Sequence, residues 1–360
     1  MTSEVTRRLT TPPRYHFGAS VGPLLVPKHD PCGRFTGDDL WLTARTPSGP
    51  ATLHLCRDKS GGRDVGAVGA ESGGRDVGAV GAESGGRDVG AVGAESGTRD
   101  VGAVGAESGG RAAGGAGAAL FATGYGPGAE WIVDRADAIA GLRDDLEGFA
   151  EIVAHHPLVA RLAKTFAGVR MPSTGMVFPR VLRAILEQKV TGKEAHRSYR
   201  AICKAVGEPA PGPVDLVLPP DPAAIAAMAY WEFHPFGVEQ RRTQALQRAA
   251  LVAERLERCA DSAEATRRLV ALPGIGPWTA AEVVRVAYGD ADAVSVGDFH
   301  IPNTVAWALA GEARGTDERM LELLEPFRGH RGRVCDLLAH GGLGAPKFGP
   351  RMPIRSFARF

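Results

Sequence analysis

Two hydrophobic periodicities divide this chain. In roughly the first 140 residues the apolar positions form short, partly alternating runs: Leu40 and Leu42, Leu53 and Leu55, Leu120 and Phe121, Trp131 and Val133. Gly and Pro bound these runs, and a period of two predicts strands. A helix near 137–149 is expected to close this part. From about 150 onward the spacing becomes helical. Pro179 opens a helix whose Leu182, Ile185, Leu186 and Val190 form an apolar stripe, and Gly207 stops the helix after it. Asp221–Pro222 reads as an N-cap followed by a first-turn proline. A long amphipathic helix is expected over 238–259, with Asp261 and Glu264 as a capping box for the next one. Helices over 303–310, 317–327 and 332–340 complete the pattern. The fold class is therefore α+β: a small β-rich domain over 1–145, then an all-α domain over 146–345.

A repeat interrupts the first part. The decapeptide RDVGAVGAES recurs at 63–72, 75–84, 87–96 and 99–108, a period of 12 residues. Its apolar content is Val and Ala diluted by Gly, too little area to offset the entropy of ordering. A disordered Gly-rich insertion over about 59–117 is expected, placed where a strand-to-strand loop would be and where extra chain costs least.

At 360 residues there is ample chain for two domains, and the net charge of +1 gives no polycationic signature. Charge is instead local. Residues 328–360 hold seven cations (Arg328, Arg331, Arg333, Lys347, Arg351, Arg355, Arg359) against Asp336, so 346–360 reads as a basic tail. The five cysteines, Cys32, Cys56, Cys203, Cys259 and Cys335, are scattered. No CxxC or clustered His/Cys spacing suggests zinc or an iron–sulfur cluster, so no metal site is expected. The first residues, MTSEVTRRLT, carry no apolar stretch, and no run approaches the ~18 residues of a membrane span. A reduced, cytoplasmic protein is expected.

The string LPGIGPWTA (272–280) carries the sharpest chemistry. Two glycines one residue apart make a hairpin, and Pro277 starts the next helix where its missing N–H costs nothing. Bare amides at a helix N-terminus seat a phosphate. Asp298 follows Gly276 by 22 positions and opens another helix in SVGDFHIPN. A helix–hairpin–helix with an acid about twenty residues later resembles the DNA glycosylases of that superfamily, and Trp278 narrows the likeness to the 3-methyladenine branch. The resemblance spans about 150–340. The absence of a four-cysteine cluster near Cys335 separates the chain from the endonuclease branch.

What that resemblance implies is specific. Asp298 matches the catalytic carboxylate, which stabilises an oxocarbenium-like sugar as the damaged base departs; as a residue read alone it is a helix N-cap, and the two roles are compatible. Gly274, Gly276 and Thr279 match positions that grip a DNA phosphate. Trp278 stands where lyase branches carry a nucleophilic lysine, and its face can stack on a cationic purine. Met171 matches an apolar wedge that fills the gap left by a flipped base. Phe178 and Gln188 match pocket-side positions. Two departures make this pocket less aromatic than the family's: Glu282 replaces a tyrosine, and His330 replaces a tryptophan. Glu282 could act there as a second acid. The implied partner is double-stranded DNA containing damaged bases, with a monomeric protein, no membrane and no organic cofactor; a monovalent cation on the hairpin carbonyls is an option. The competing readings are a non-catalytic helix–hairpin–helix DNA-binding protein and a glycosylase for oxidised bases.

Overall fold

The computed structural model describes residues 4–58 and 119–346, all of which lie in one compact unit. The Gly-rich repeat and residues 347–360 lie outside the described residues. Five strands, β1 (Glu4–Thr10), β2 (Gly33–Phe35), β3 (Asp39–Thr46), β4 (Gly49–Arg57) and β5 (Ala119–Tyr125), form one antiparallel sheet in the order β1-β5-β4-β3-β2. The alternation read from the sequence holds in β3 and β4: Leu40, Leu42, Leu53 and Leu55 face inward and are buried. They pack on the short helices α1 (Phe17–Val21), α2 (Ala129–Asp134) and α3 (Ala136–Ile139).

Trp131 and Val133, expected in a strand, lie in α2. Three apolar residues in a row do not discriminate strand from helix, and Gly124 decides the outcome. A Cβ there would stand 2.6 Å from the Ala129 carbonyl, so α2 can press on β5 only over a glycine. The helix expected near 137–149 stops at Ile139, before Gly141 at φ +75°, and α4 (Phe149–Val153) begins only after a turn. The tertiary reason is Asp144, whose side chain turns inward to take the Arg333 guanidinium and the Met171 amide.

The helical part continues with α5 (Pro157–Thr165), α6 (Phe178–Leu186), α7 (Gly192–Val206) and α8 (Pro222–Ala227). Thr191 and Glu194 form a full capping box at the start of α7, and Asp221 caps α8 as its sequence implied. The long helix expected over 238–259 breaks at Val252 into α9 (Gln240–Leu251) and α10 (Ala253–Glu257). Beyond the break the Glu257 carboxylate accepts the Val177 and Phe178 amides, capping α6. Next come α11 (Ser262–Val270), α12 (Pro277–Ala287), α13 (Ile301–Ala310), α14 (Asp317–Leu324) and α15 (Arg331–His340). One apolar cluster is centred on α6, α7, α9, α11 and α12, and a second joins α5 to α13, α14 and α15. Thr43 and Arg45 of β3 donate to the carbonyls of Val217 and Pro219, tying the sheet to the helical part. Among the described residues no helix is long and apolar enough to cross a membrane.

Candidate active site

Residues 271–276 join α11 to α12 as a tight hairpin. Gly274 sits at φ +97°, where an L side chain would be strained, and its Cβ would meet Ala245 of α9 at 2.7 Å. Gly276 is the N-cap of α12, and Pro277 is its first residue. Among the described residues nothing in the protein pairs with the amides of Gly274, Gly276, Trp278 or Thr279. The four donors share one turn and the partial positive charge of an eleven-residue helix.

The hairpin is held from behind. Gln188, just past α6, donates its amide to the Gly274 carbonyl (3.0 Å) and to Thr279 Oγ1 (2.8 Å). Thr279 is buried, so its hydroxyl braces the hairpin rather than facing a ligand, which leaves its backbone amide as its outward donor. Gln188 is likewise a brace. The Arg248 guanidinium donates to the Pro273 carbonyl and Ile275 N–H to that of Leu272. A monovalent cation at these oxygens would compete with an arginine.

Asp298 lies beyond the other side of this turn. Its Oδ1 accepts the amides of His300 (2.8 Å) and Ile301 (2.9 Å), so it caps α13 from three residues upstream. Its Oδ2 accepts the indole N–H of Trp278 at 2.9 Å. Trp278 thus meets Asp298 edge-on through its nitrogen, a contact that the sequence reading of the tryptophan as a stacking face did not contain. The loop that delivers Asp298 is pinned twice. Gly297 N–H lies 3.0 Å from both carboxylate oxygens of Asp317, and Ser295 donates to Glu282 at 2.6 Å.

Glu282 is therefore not a second acid in a pocket. It is about 1 % exposed, and its carboxylate takes Arg180 (2.8 Å), Arg285 (3.1 Å) and Ser295. A lone carboxylate could not stay charged there; two guanidiniums and a hydroxyl compensate its desolvation. Arg180 and Ser295 carry no local sequence signal, because the partners stand 102 and 13 residues from Glu282. Phe178 is also core, 2 % exposed.

Met171 and His330 line a different feature, a cleft of about 440 Å³ shared with Arg135, Asp144 and Tyr288. Tyr288 is the C-cap of α12, ten residues past Trp278, or about 15 Å along the axis. Met171 is only 9 % exposed and so does not stand out as a wedge. Its burial follows from its amide, which the inward-turned Asp144 holds at 3.0 Å. His330 packs at 4.8 Å on the Phe149 ring and accepts from Arg333 through Nδ1. Burial and then the Arg333 charge hold its pKa below the ordinary histidine value. The basic stretch is partly spent internally too: Arg328 pairs with Glu325, Arg331 with Asp292 and Arg333 with Asp144.

No family model matches this sequence, and no curated protein does. Solved structures do. A 3-methyladenine DNA glycosylase from Archaeoglobus fulgidus superposes with a TM-score of 0.65 at 14 % identity, over 93 % of this chain and 97 % of that one. An 8-oxoguanine glycosylase/lyase from Clostridium acetobutylicum, in its apo form, gives 0.59 at 10 % identity, over 94 % and 98 %. The protein MBOgg1, in complex with a low-affinity DNA ligand, gives 0.59 at 11 % identity, over 95 % and 98 %. With its sheet, its helices and the hairpin before α12, this chain has the fold of the helix–hairpin–helix DNA glycosylases.

Proposed function

We propose that this protein is a DNA glycosylase that excises a damaged, alkylated purine from duplex DNA and leaves an abasic site. The observation that carries the reading is a single carboxylate, Asp298, fixed by Trp278 in the turn that follows a row of unpaired hairpin amides. The amides take a backbone phosphate. That anchors the duplex while the target nucleotide is turned out of the stack. A purine alkylated on a ring nitrogen such as N3 or N7 is already cationic, so its bond to the sugar can break without a general acid. A carboxylate about 4 Å from the developing sugar cation contributes roughly 4 kcal/mol at an effective dielectric of about 20. That corresponds to about a thousandfold in rate.

Alkylated rather than oxidised bases are favoured by Trp278, which offers an indole where an amine would be needed to attack the sugar. The gap left by the flipped base falls to a side chain other than Met171. Phe299, next to Asp298, is 75 % exposed and is the apolar group offered there. Lys189, exposed and in the left-handed region at φ +55°, follows Gln188 at the other edge of the hairpin. The competing reading, a DNA-binding module without catalysis, has its own support: both oxygens of Asp298 are already engaged, by a helix start and an indole.

One experiment separates them. Methylated duplex DNA is incubated with the protein, and released bases are identified by chromatography. Asp298→Asn should keep DNA binding and folding, since Asn still caps α13, and lose release by two to three orders of magnitude. Borohydride present during turnover should trap no covalent protein–DNA adduct. Equal release by wild type and variant would reduce Asp298 to a cap.

A further inference from the structure

The outward face of the β-sheet carries a cluster that has no part in the glycosylase reading. Register creates it. Asp39 of β3 stands directly opposite Cys56 of β4, and Trp41 stands opposite His54. Side chains two apart on a strand share a face, so all four project outward together. Asp39 Oδ1 lies 3.0 Å from His54 Nε2, and one donor atom each from Asp39, His54 and Cys56 all lie within 4.8 Å of one another. All three residues are half-buried.

We propose that Asp39, His54 and Cys56 form a three-ligand site for a divalent transition metal, with Zn²⁺ as the fitting ion. The donor set is one oxygen, one nitrogen and one sulfur, a mixture that suits a borderline-soft ion and poorly suits Ca²⁺ or Mg²⁺. Bond lengths of about 2.0–2.3 Å put tetrahedral ligand atoms roughly 3.4–3.8 Å apart. No two of these atoms stand more than 4.8 Å apart, so the ligands need close by about 1.4 Å at most. The carboxylate–imidazole pair opens by a few tenths of an ångström as the ion takes the place of the shared proton. The thiol gives up its proton on binding.

Two features hold the ligands in place beforehand. The Trp41 ring stacks on the His54 imidazole at 3.9 Å and 7°, fixing its plane, and Thr36 reaches the second oxygen of Asp39 at 3.4 Å. The strands add a third, since paired backbones cannot slide without breaking the ladder. Three protein ligands leave a fourth position for water on the outer side. A hydrogen-bonded His–Asp pair beside an unrelated thiol is the alternative, and it makes no demand on sulfur.

That difference is the test. The untagged full-length protein is stripped of metal with a chelator and titrated with Co²⁺. One equivalent should produce a near-ultraviolet thiolate-to-cobalt charge-transfer band, which one equivalent of Zn²⁺ then abolishes. Cys56→Ser should remove the band. His54→Ala and Asp39→Asn should keep the thiol but weaken Zn²⁺ binding at least tenfold, measured by competition with a chromophoric indicator. Far-ultraviolet circular dichroism identifies the folded variants on which the comparison is made. The proposal is overturned if wild type gives no band at one equivalent, if the band survives in Cys56→Ser, or if both nitrogen and oxygen variants bind Zn²⁺ as wild type does.

Discussion

Single residues in this protein take their roles from what they touch. Glu282 neutralises the buried Arg180 and the half-buried Arg285 and, through Ser295, anchors the loop that presents Asp298. Replacing it by Gln leaves both guanidiniums short of a counter-charge. Arg180 keeps Glu187 at 3.6 Å and Arg285 keeps Asp336. The loss should therefore sit near the lower end for a broken buried pair, about 3 kcal/mol by denaturant unfolding. An unchanged midpoint would show that the cluster is not holding the fold.

His330 gives a pH signature. Its folded pKa lies below that of the unfolded chain, first through burial and then through the Arg333 charge. The folded state thus binds fewer protons in the window below about pH 6.5, and this contribution to stability is present above that value and lost as pH falls through it. Buried Glu257 and Asp30 act with the opposite sign, because burial raises their pKa values. The informative quantity is therefore a difference. His330→Gln, which keeps an acceptor for Arg333, should lose less of its melting temperature than wild type between about pH 7 and 5. Parallel curves would remove His330 from the acid response.

At the scale of elements, the hairpin's shape depends on α6. Gln188 stands two residues past that helix and ties one face of the turn to the start of α12 through the Gly274 carbonyl and Thr279. The bare amides keep a common direction only while that brace holds. Gln188→Ala should leave far-ultraviolet circular dichroism unchanged and weaken duplex binding roughly five- to thirtyfold, the cost of one or two hydrogen bonds at about 1 kcal/mol each. Fluorescence anisotropy with undamaged duplex, at fixed salt, measures it. Unaltered affinity would mean that the glycines alone shape the turn.

At the scale of the whole molecule, the repeat enters and leaves at neighbouring points. Asp58 donates its amide to the Ala119 carbonyl at 2.9 Å, and Arg57 pairs with Leu120 in the β4–β5 ladder. The sheet already holds the ends of the repeat together, and closure entropy grows only with the logarithm of loop length. Removing residues 61–110 should therefore shift stability by about 1 kcal/mol at most and leave base release intact. A large loss on deletion would assign the repeat a packing role.

The sequence by itself determined the local chemistry. Period-two runs gave β3 and β4, because alternation reports a sheet with one buried face. LPGIGPWTA gave the hairpin, because Gly and Pro fix backbone conformation wherever they stand, and the spacing singled out Asp298, the carboxylate that meets Trp278. Asp221 and the Asp261–Glu264 pair marked helix starts for the same reason. Caps act within four residues. Tertiary structure decided whatever depends on partners far along the chain. Gly124 admitted α2 where a strand was expected, Asp144 drew Met171 inward, and Arg180 converted Glu282 from a candidate acid into a buried counter-ion. It also turned the Trp278 nitrogen onto Asp298 and, through strand register, set Asp39 beside His54 and Cys56. Polarity and size are written at each position, whereas the partner that satisfies a buried charge or fixes a ring is chosen only when distant segments meet.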